Sequence, residues 1–261
     1  MHSTLRCVLA ITCLILVAPG ARAESKFEGK VVTFRSGDEE TQGYLAEPMG
    51  KGPFPAIVVI QEWWGLTDWI KENANRFAAQ GYVAFAPDLY RGKVAKEPLV
   101  ARQLLQGMPR DRALRDLKAS VDFLAGRDNV LKDRLGSIGW CMGGGYSLQL
   151  ALRDERLQAS VICYGAVVTD PTTLKPLRAT ILGIFGEDDK GIKPETVRKF
   201  EDALKSAGKH VEAVKEFKAG HGFMRPFNAP GKPNPEYRES EALQAWKDVD
   251  AFFTRALRKE R

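Results

Sequence analysis

The sequence predicts an α/β fold, a doubly wound, mostly parallel sheet with helices on both faces. Three observations predict it. Short apolar runs alternate along the chain with longer stretches of helical periodicity, the pattern of strands joined by crossover helices. Residues 56–60 and 179–185 are near-continuous apolar runs, as in parallel strands covered on both sides. At Gly139-Trp140-Cys141-Met142-Gly143 a strand ends in a cramped turn that opens directly into a helix.

Residues 1–23 read as a secretory signal peptide. Arg6 supplies the positive start, residues 7–17 are an apolar run too short to span a bilayer, and Ala21-Arg22-Ala23 has the small-x-small cleavage pattern. The alternative is an uncleaved anchor. Residues 24–261 are expected to form one domain, a soluble monomer exported to the periplasm or secreted. Residues 30–34 and 42–47 alternate around Ser36-Gly37-Asp38 as an antiparallel hairpin. The run at 56–60 follows Pro53 and Pro55. Residues 68–80 place Ile70, Ala74, Phe77 and Ala78 on one helix face, with Gly81 as the stop.

A strand at 82–86 ends in Pro87-Asp88, and 92–109 reads as a loop holding a short helix. Leu114, Leu117, Val121 and Leu124 mark a helix over 110–124. The turn at Cys141 then opens a helix over 146–152. Residues 159–164 form a strand bearing Cys163, and the strand at 179–185 follows. A helix over 195–207 is closed by Gly208, and 211–217 is the last strand. The polar, Pro-rich stretch 225–238 is a loop, and 239–257 is a long amphipathic helix with a basic end.

With 261 residues, 44% of them hydrophobic and 28% charged, the chain is long enough for one large core and too apolar for general disorder. Two of the six net positive charges, Arg6 and Arg22, lie in the leader, which holds no acid, leaving +4 for the rest. That excess, without a basic stripe interleaved with aromatics, excludes a nucleic-acid footprint and is compatible with an anionic small substrate. No phosphate loop or metal-ligand cluster occurs, so neither metal nor organic cofactor is expected. Of four cysteines, Cys7 and Cys13 leave with the leader. Cys141 and Cys163 sit at the ends of neighbouring strands, where the narrow geometry of a disulfide is not expected to be met.

Small residues flanking Cys141 relieve the crowding of a strained turn, and the following helix N-terminus favours a thiolate. Cys141 therefore reads as a nucleophile. Its base is sought among three histidines: His2 lies in the leader, His210 in a polar junction, and His221 between two glycines after the last strand. The orienting acid falls in Gly186-Glu187-Asp188-Asp189, where composition does not choose between Asp188 and Asp189. Nucleophile, acid, histidine is the chain order of α/β-hydrolases.

Five stretches, Gln61-Glu62-Trp63-Trp64-Gly65, Pro87-Asp88-Leu89-Tyr90, Gly139-Trp140-Cys141-Met142-Gly143-Gly144, Gly186 to Ile192 and Gly220-His221-Gly222-Phe223, are similar to those of dienelactone hydrolases. These α/β-hydrolase enzymes are also called carboxymethylenebutenolidases, and the resemblance runs from about residue 30 to the final helix. It implies hydrolysis of a lactone or carboxylic ester through a thioester on Cys141, with His221 as base. Of the two aspartates it favours Asp189.

The resemblance further implies that Glu62 contacts the resting thiol and moves when substrate binds. Backbone N–H groups of Met142 and Trp63 form the oxyanion hole, and Arg91 and Arg225 hold a substrate carboxylate. Trp64, Tyr90 and Phe223, with Trp63, line the pocket. Segments 92–109 and 225–238 match no family motif and are expected to shape that pocket. Two competing readings keep the fold and change the chemistry: a non-catalytic ligand-binding or thiol redox-sensing protein, and a thiol-dependent acyltransferase.

Overall fold

A computed structural model describes residues 27–229 and 232–258; the leader expected at 1–23 lies outside them. Strands β1 (Phe27–Ser36) and β2 (Glu39–Pro48) form an antiparallel hairpin in one unbroken register, from Phe27 opposite Pro48 to Ser36 opposite Glu39. Each strand is longer than its alternating stretch. β1 lies at the sheet edge with most side chains exposed, so its outer residues carry no hydrophobic signal.

The chain then alternates as predicted: β3 (Phe54–Ile60), α1 (Asp68–Ala79), β4 (Val83–Pro87), α2 (Pro98–Gly107), α3 (Arg110–Ala125), β5 (Val130–Trp140), α4 (Met142–Ala151) and β6 (Leu157–Cys163). A single turn, α5 (Pro171–Leu174), precedes β7 (Thr180–Gly186), α6 (Pro194–Ser206) and β8 (Val211–Phe217). Within the stretch read as a loop at 225–238, β9 (Phe227–Ala229) and β10 (Lys232–Pro233) pair as a small antiparallel ribbon. Helix α7 (Glu239–Arg258) closes the fold.

Eight strands form one sheet in the order β1-β2-β4-β3-β5-β6-β7-β8. Pairing is antiparallel for β1–β2 and β2–β4 and parallel throughout the rest. Parallel strands must share an edge for their C-terminal ends, so the loops leaving β3, β5, β6, β7 and β8 gather on one side. Strand β3 shows why its run is apolar throughout. Ala56, Val58 and Ile60 pack into the layer holding Leu117 and Val121 of α3, Leu148 of α4 and Phe200 of α6. The alternate residues Ile57 and Val59 join Ile70 and Phe77 of α1 and Phe252 and Phe253 of α7 on the other face. Among the described residues no helix is long and apolar enough to cross a membrane.

Three serines interrupt this apolar interior below Cys141. Ser137 of β5, Ser147 of α4 and Ser160 of β6 are fully buried and bond to one another, with Oγ–Oγ distances of 2.8 Å for Ser137–Ser147 and 2.9 Å for Ser147–Ser160. Mutual pairing meets the cost of burying three hydroxyls and ties the helix to both strands.

Candidate active site

Cys141 stands between β5 and α4 with φ 55° and ψ −118°, a conformation that L-residues rarely adopt. Its N–H donates to Cys163 O at 3.0 Å and its carbonyl accepts from the N–H groups of Gly144 and Gly145, so turn and helix start are locked together. The two flanking glycines are sterically required. A Cβ on Gly139 would lie 2.1 Å from Gly143 O, and one on Gly143 would lie 2.4 Å from Ile60 O. The thiol is half-buried at the N-terminus of α4, where unpaired backbone donors favour negative charge. Cys141 and Cys163 are both free thiols, the latter buried.

The two aspartates differ in geometry. Asp188 is exposed, whereas the Asp189 side chain is fully buried and its Oδ2 lies 2.7 Å from His221 Nδ1. Asp189 Oδ1 accepts from the N–H groups of Gly191 (2.8 Å) and Ile192 (2.9 Å), which fixes the carboxylate. Burial pushes this carboxyl up, but the hydrogen bonds from His221, Ile192 and Gly191 outweigh it and hold it below the usual range. The His221 ring packs edge-on to Tyr164, with centroids 5.2 Å apart, and reaches the Cys141 side chain. Burial pushes the imidazole down, but bonding to Asp189 and Cys141 outweighs that and raises it to about 10.

Glu62 follows β3 and is buried; where the resemblance implies contact with the resting thiol, its carboxylate is held by Arg225. Arg225 Nε lies 2.8 Å from Glu62 Oε2, and both side chains are more than nine-tenths buried. Burial pushes the Glu62 carboxyl up, opposed by the charges of Arg225 and His221. Arg225 also donates to the backbone and side-chain oxygens of Asn228 and lies over the Trp64 ring at 5.4 Å. In the turn after Glu62, Gly65 N–H closes onto Glu62 O, while the N–H of Trp63 meets no acceptor among the described residues. Met142, first residue of α4, is likewise left without an intrahelical acceptor.

Three residues expected at the pocket lie elsewhere. Arg91, in left-handed backbone with φ 55°, turns away to Asp116 of α3 (Nη1–Oδ2 2.8 Å), Glu39 (3.1 Å) and Thr41. Phe223 is fully buried between Tyr164 and Phe217, because the turn after His221 folds its ring beneath the sheet edge. Tyr90 is core as well, with its hydroxyl 3.4 Å from Met142 Sδ, so it buttresses the first residue of α4 from behind. Trp63 and Trp64 do line the site, ring centroids 5.1 Å apart.

Cys141, His221 and Trp63 border two cavities of about 660 and 580 Å³. The larger includes Glu62, Trp64 and Arg225 and is covered by residues of 225–238, with Lys232 Nζ reaching Glu97 Oε1 (2.6 Å) just before α2. The smaller lies toward α2, α4 and the segment after β6. Lys96, Asn228, Lys232 and Val168 at these walls carried no motif, whereas Ile192 ends the stretch Gly186 to Ile192. The only signal that pointed to any of the former was position in a long polar segment between regular elements.

Residues 41–257 match the model of the dienelactone hydrolase family. A protein of Methylorubrum extorquens named as a candidate carboxymethylenebutenolidase is 32% identical over 224 residues, 80% of this chain and 75% of that one. A crystal structure of a candidate dienelactone hydrolase from Klebsiella pneumoniae superposes with a TM-score of 0.77 at 28% identity, covering 87% of this chain and 98% of that one. A dienelactone hydrolase-like promiscuous phosphotriesterase from metagenomic libraries gives 0.79 at 25% identity, covering 88% and 99%.

Proposed function

This chain belongs to the dienelactone hydrolase family, and on that premise we propose that it hydrolyses a lactone or carboxylic ester through Cys141, His221 and Asp189. The observation that carries the mechanism is the arrangement at the elbow. A thiol on a strained turn faces an imidazole whose other nitrogen is 2.7 Å from a buried, doubly N–H-bonded aspartate.

The Cys141 thiolate attacks the carbonyl carbon, forming a C–S bond while the carbonyl π electrons move to oxygen. The N–H groups of Met142 and Trp63 receive that oxyanion; among the described residues neither meets a backbone acceptor. Collapse expels the alkoxide, which takes a proton from the His221 imidazolium, and leaves a thioester. Neutral His221 then removes a proton from water as it attacks, and the acid product departs with restoration of the thiolate. Asp189 keeps the imidazole oriented and stabilises its charged form. Glu62 and Arg225 act as a buried pair that an anionic substrate opens: its carboxylate competes for the guanidinium and frees Glu62 toward the thiol.

The test is turnover of a dienelactone and a neutral aryl ester by the mature chain and by Cys141→Ala. The substitution is expected to reduce kcat/KM by at least about 10³-fold for both substrates while leaving the fold intact. Folded wild type with a reduced Cys141 and no turnover above Cys141→Ala would sink the hydrolase reading and favour ligand binding or thiol sensing. Preferential transfer to an added alcohol would make it an acyltransferase.

A further inference from the structure

Cys141 and His221 stand between two cavities whose walls differ in charge. Toward the segment 225–238, the larger carries Glu62 and Arg225 with Lys96, Glu97, Lys232 and Glu236. The wall of the smaller is built from Leu105 of α2, Met142 and Tyr146 of α4, Val167 and Val168 after β6, and Ile192 after the acid loop. Besides His221 and Cys141, its one charged side chain is Arg110, which is exposed and tied to Gln149 Oε1 at 3.2 Å. A space of about 580 Å³ is in the range that encloses most of a small ligand. Gln149, Tyr146 and Tyr164 are its uncharged polar side chains, and the remaining stretch along Leu105, Val167, Val168 and Ile192 carries no polar side chain, so that stretch favours hydrocarbon.

We propose that this second cavity is a subsite for an apolar arm, so that the substrate is an ester or lactone joining a hydrocarbon group on one side of the carbonyl to a polar or anionic group on the other. The assignment rests on the hydrolase reading and narrows its substrate class. The hydrocarbon lies along Val167, Val168 and Ile192, and the polar end faces Arg225 and Lys96. Leu105 caps the apolar side from α2, a helix anchored mainly through buried Ala101 and half-buried Leu104.

Two ester series test it: p-nitrophenyl acyl esters from acetate to octanoate, and acetates of alcohols from methyl to octyl. In one series kcat/KM is expected to climb by about fourfold per buried methylene before levelling off. Which series climbs says which arm enters. Ala166→Trp, at an exposed wall position, is expected to flatten that climb by at least tenfold at octyl length, and Val168→Asp to do so by charge if the indole disturbs folding. A binding readout needs no turnover: octanoate is expected to protect Cys141 from iodoacetamide at least tenfold better than acetate, and Ala166→Trp to remove the difference. Measurable hydrolysis of acetate with both series flat and equal protection by the two acids overturns the subsite while leaving the hydrolase intact. Absence of turnover throughout, with octanoate still protecting selectively, overturns the hydrolase reading and keeps an apolar site beside the thiol.

Discussion

Arg91 and Arg225 carry the same expectation into the fold, a guanidinium waiting for a substrate carboxylate, and they end in different regions. Arg225 stands in the larger cavity with Glu62 and Trp64. Arg91 follows β4 on the same sheet edge, yet its left-handed backbone sends the side chain into the seam between the β1–β2 hairpin and α3. There Asp116, 1% exposed, claims it together with Glu39 and Thr41. The difference teaches that a motif places a residue at a strand end, but the buried acid within reach decides what its guanidinium does. Asp116 makes one arginine structural, and Glu62 keeps the other beside the thiol.

The largest expected effect breaks the structural side of this contrast. Arg91→Met leaves buried Asp116 with the Ser36 hydroxyl and with Arg115, which stands 4.0 Å away. Removing one partner of a fully buried pair costs roughly 3–5 kcal/mol, and the partial exposure of Arg91 lowers that to about 2–4 kcal/mol. Thermal denaturation should show the midpoint falling by roughly 5–12 °C. At temperatures where both forms are folded, kcat/KM should match wild type. A tenfold loss of kcat/KM on a carboxylated lactone, without loss of stability, would return Arg91 to the substrate.

Arg225→Met sharpens the other side. The variant keeps the cavity but removes the fork that pairs with carboxylates, so kcat/KM on a carboxylate-bearing lactone should fall about 10- to 100-fold further than on a neutral ester of equal size. Steady-state kinetics on the two substrates measures the ratio. Equal losses on both would mean that Arg225 acts only by holding Glu62 in place.

Much of the candidate site's edge was legible because its constraints are local. The elbow needs Gly139 and Gly143 for reasons confined to one turn. His221 and Asp189 each follow a strand whose position the alternation of elements dictates. The choice between Asp188 and Asp189 was legible only through the resemblance, since it depends on which of two adjacent side chains turns inward to the N–H groups of Gly191 and Ile192. The walls were less legible still. Phe223 and Tyr90 read as pocket aromatics and are core, because burial depends on packing partners far away in sequence. The β9–β10 ribbon was missed because it is two short edge segments without apolar alternation, and the smaller cavity because its residues come from seven separate segments.

A third buried acid extends the comparison to a cation that titrates. Asp116 and Glu62 hold arginines, which stay charged at any working pH, whereas Asp189 holds His221. In the folded chain the imidazole is raised from 6.5 to about 10 by Asp189 and Cys141 against the opposing effect of burial. A group whose folded pKa is raised adds stability that is fully present below its unfolded pKa and is lost as pH climbs through the folded value. The stability advantage of wild type over His221→Gln should therefore be complete below about pH 6.5 and fade toward pH 10. Because the ring is 39% exposed, solvent screening keeps the effect small, roughly 1–4 °C in the thermal midpoint. The deficit of Arg91→Met should stay level over the same range, since the guanidinium stays charged throughout. If the His221→Gln deficit stays level too, Asp189 holds a neutral imidazole, and the resting site is a thiol facing a free base in place of an ion pair.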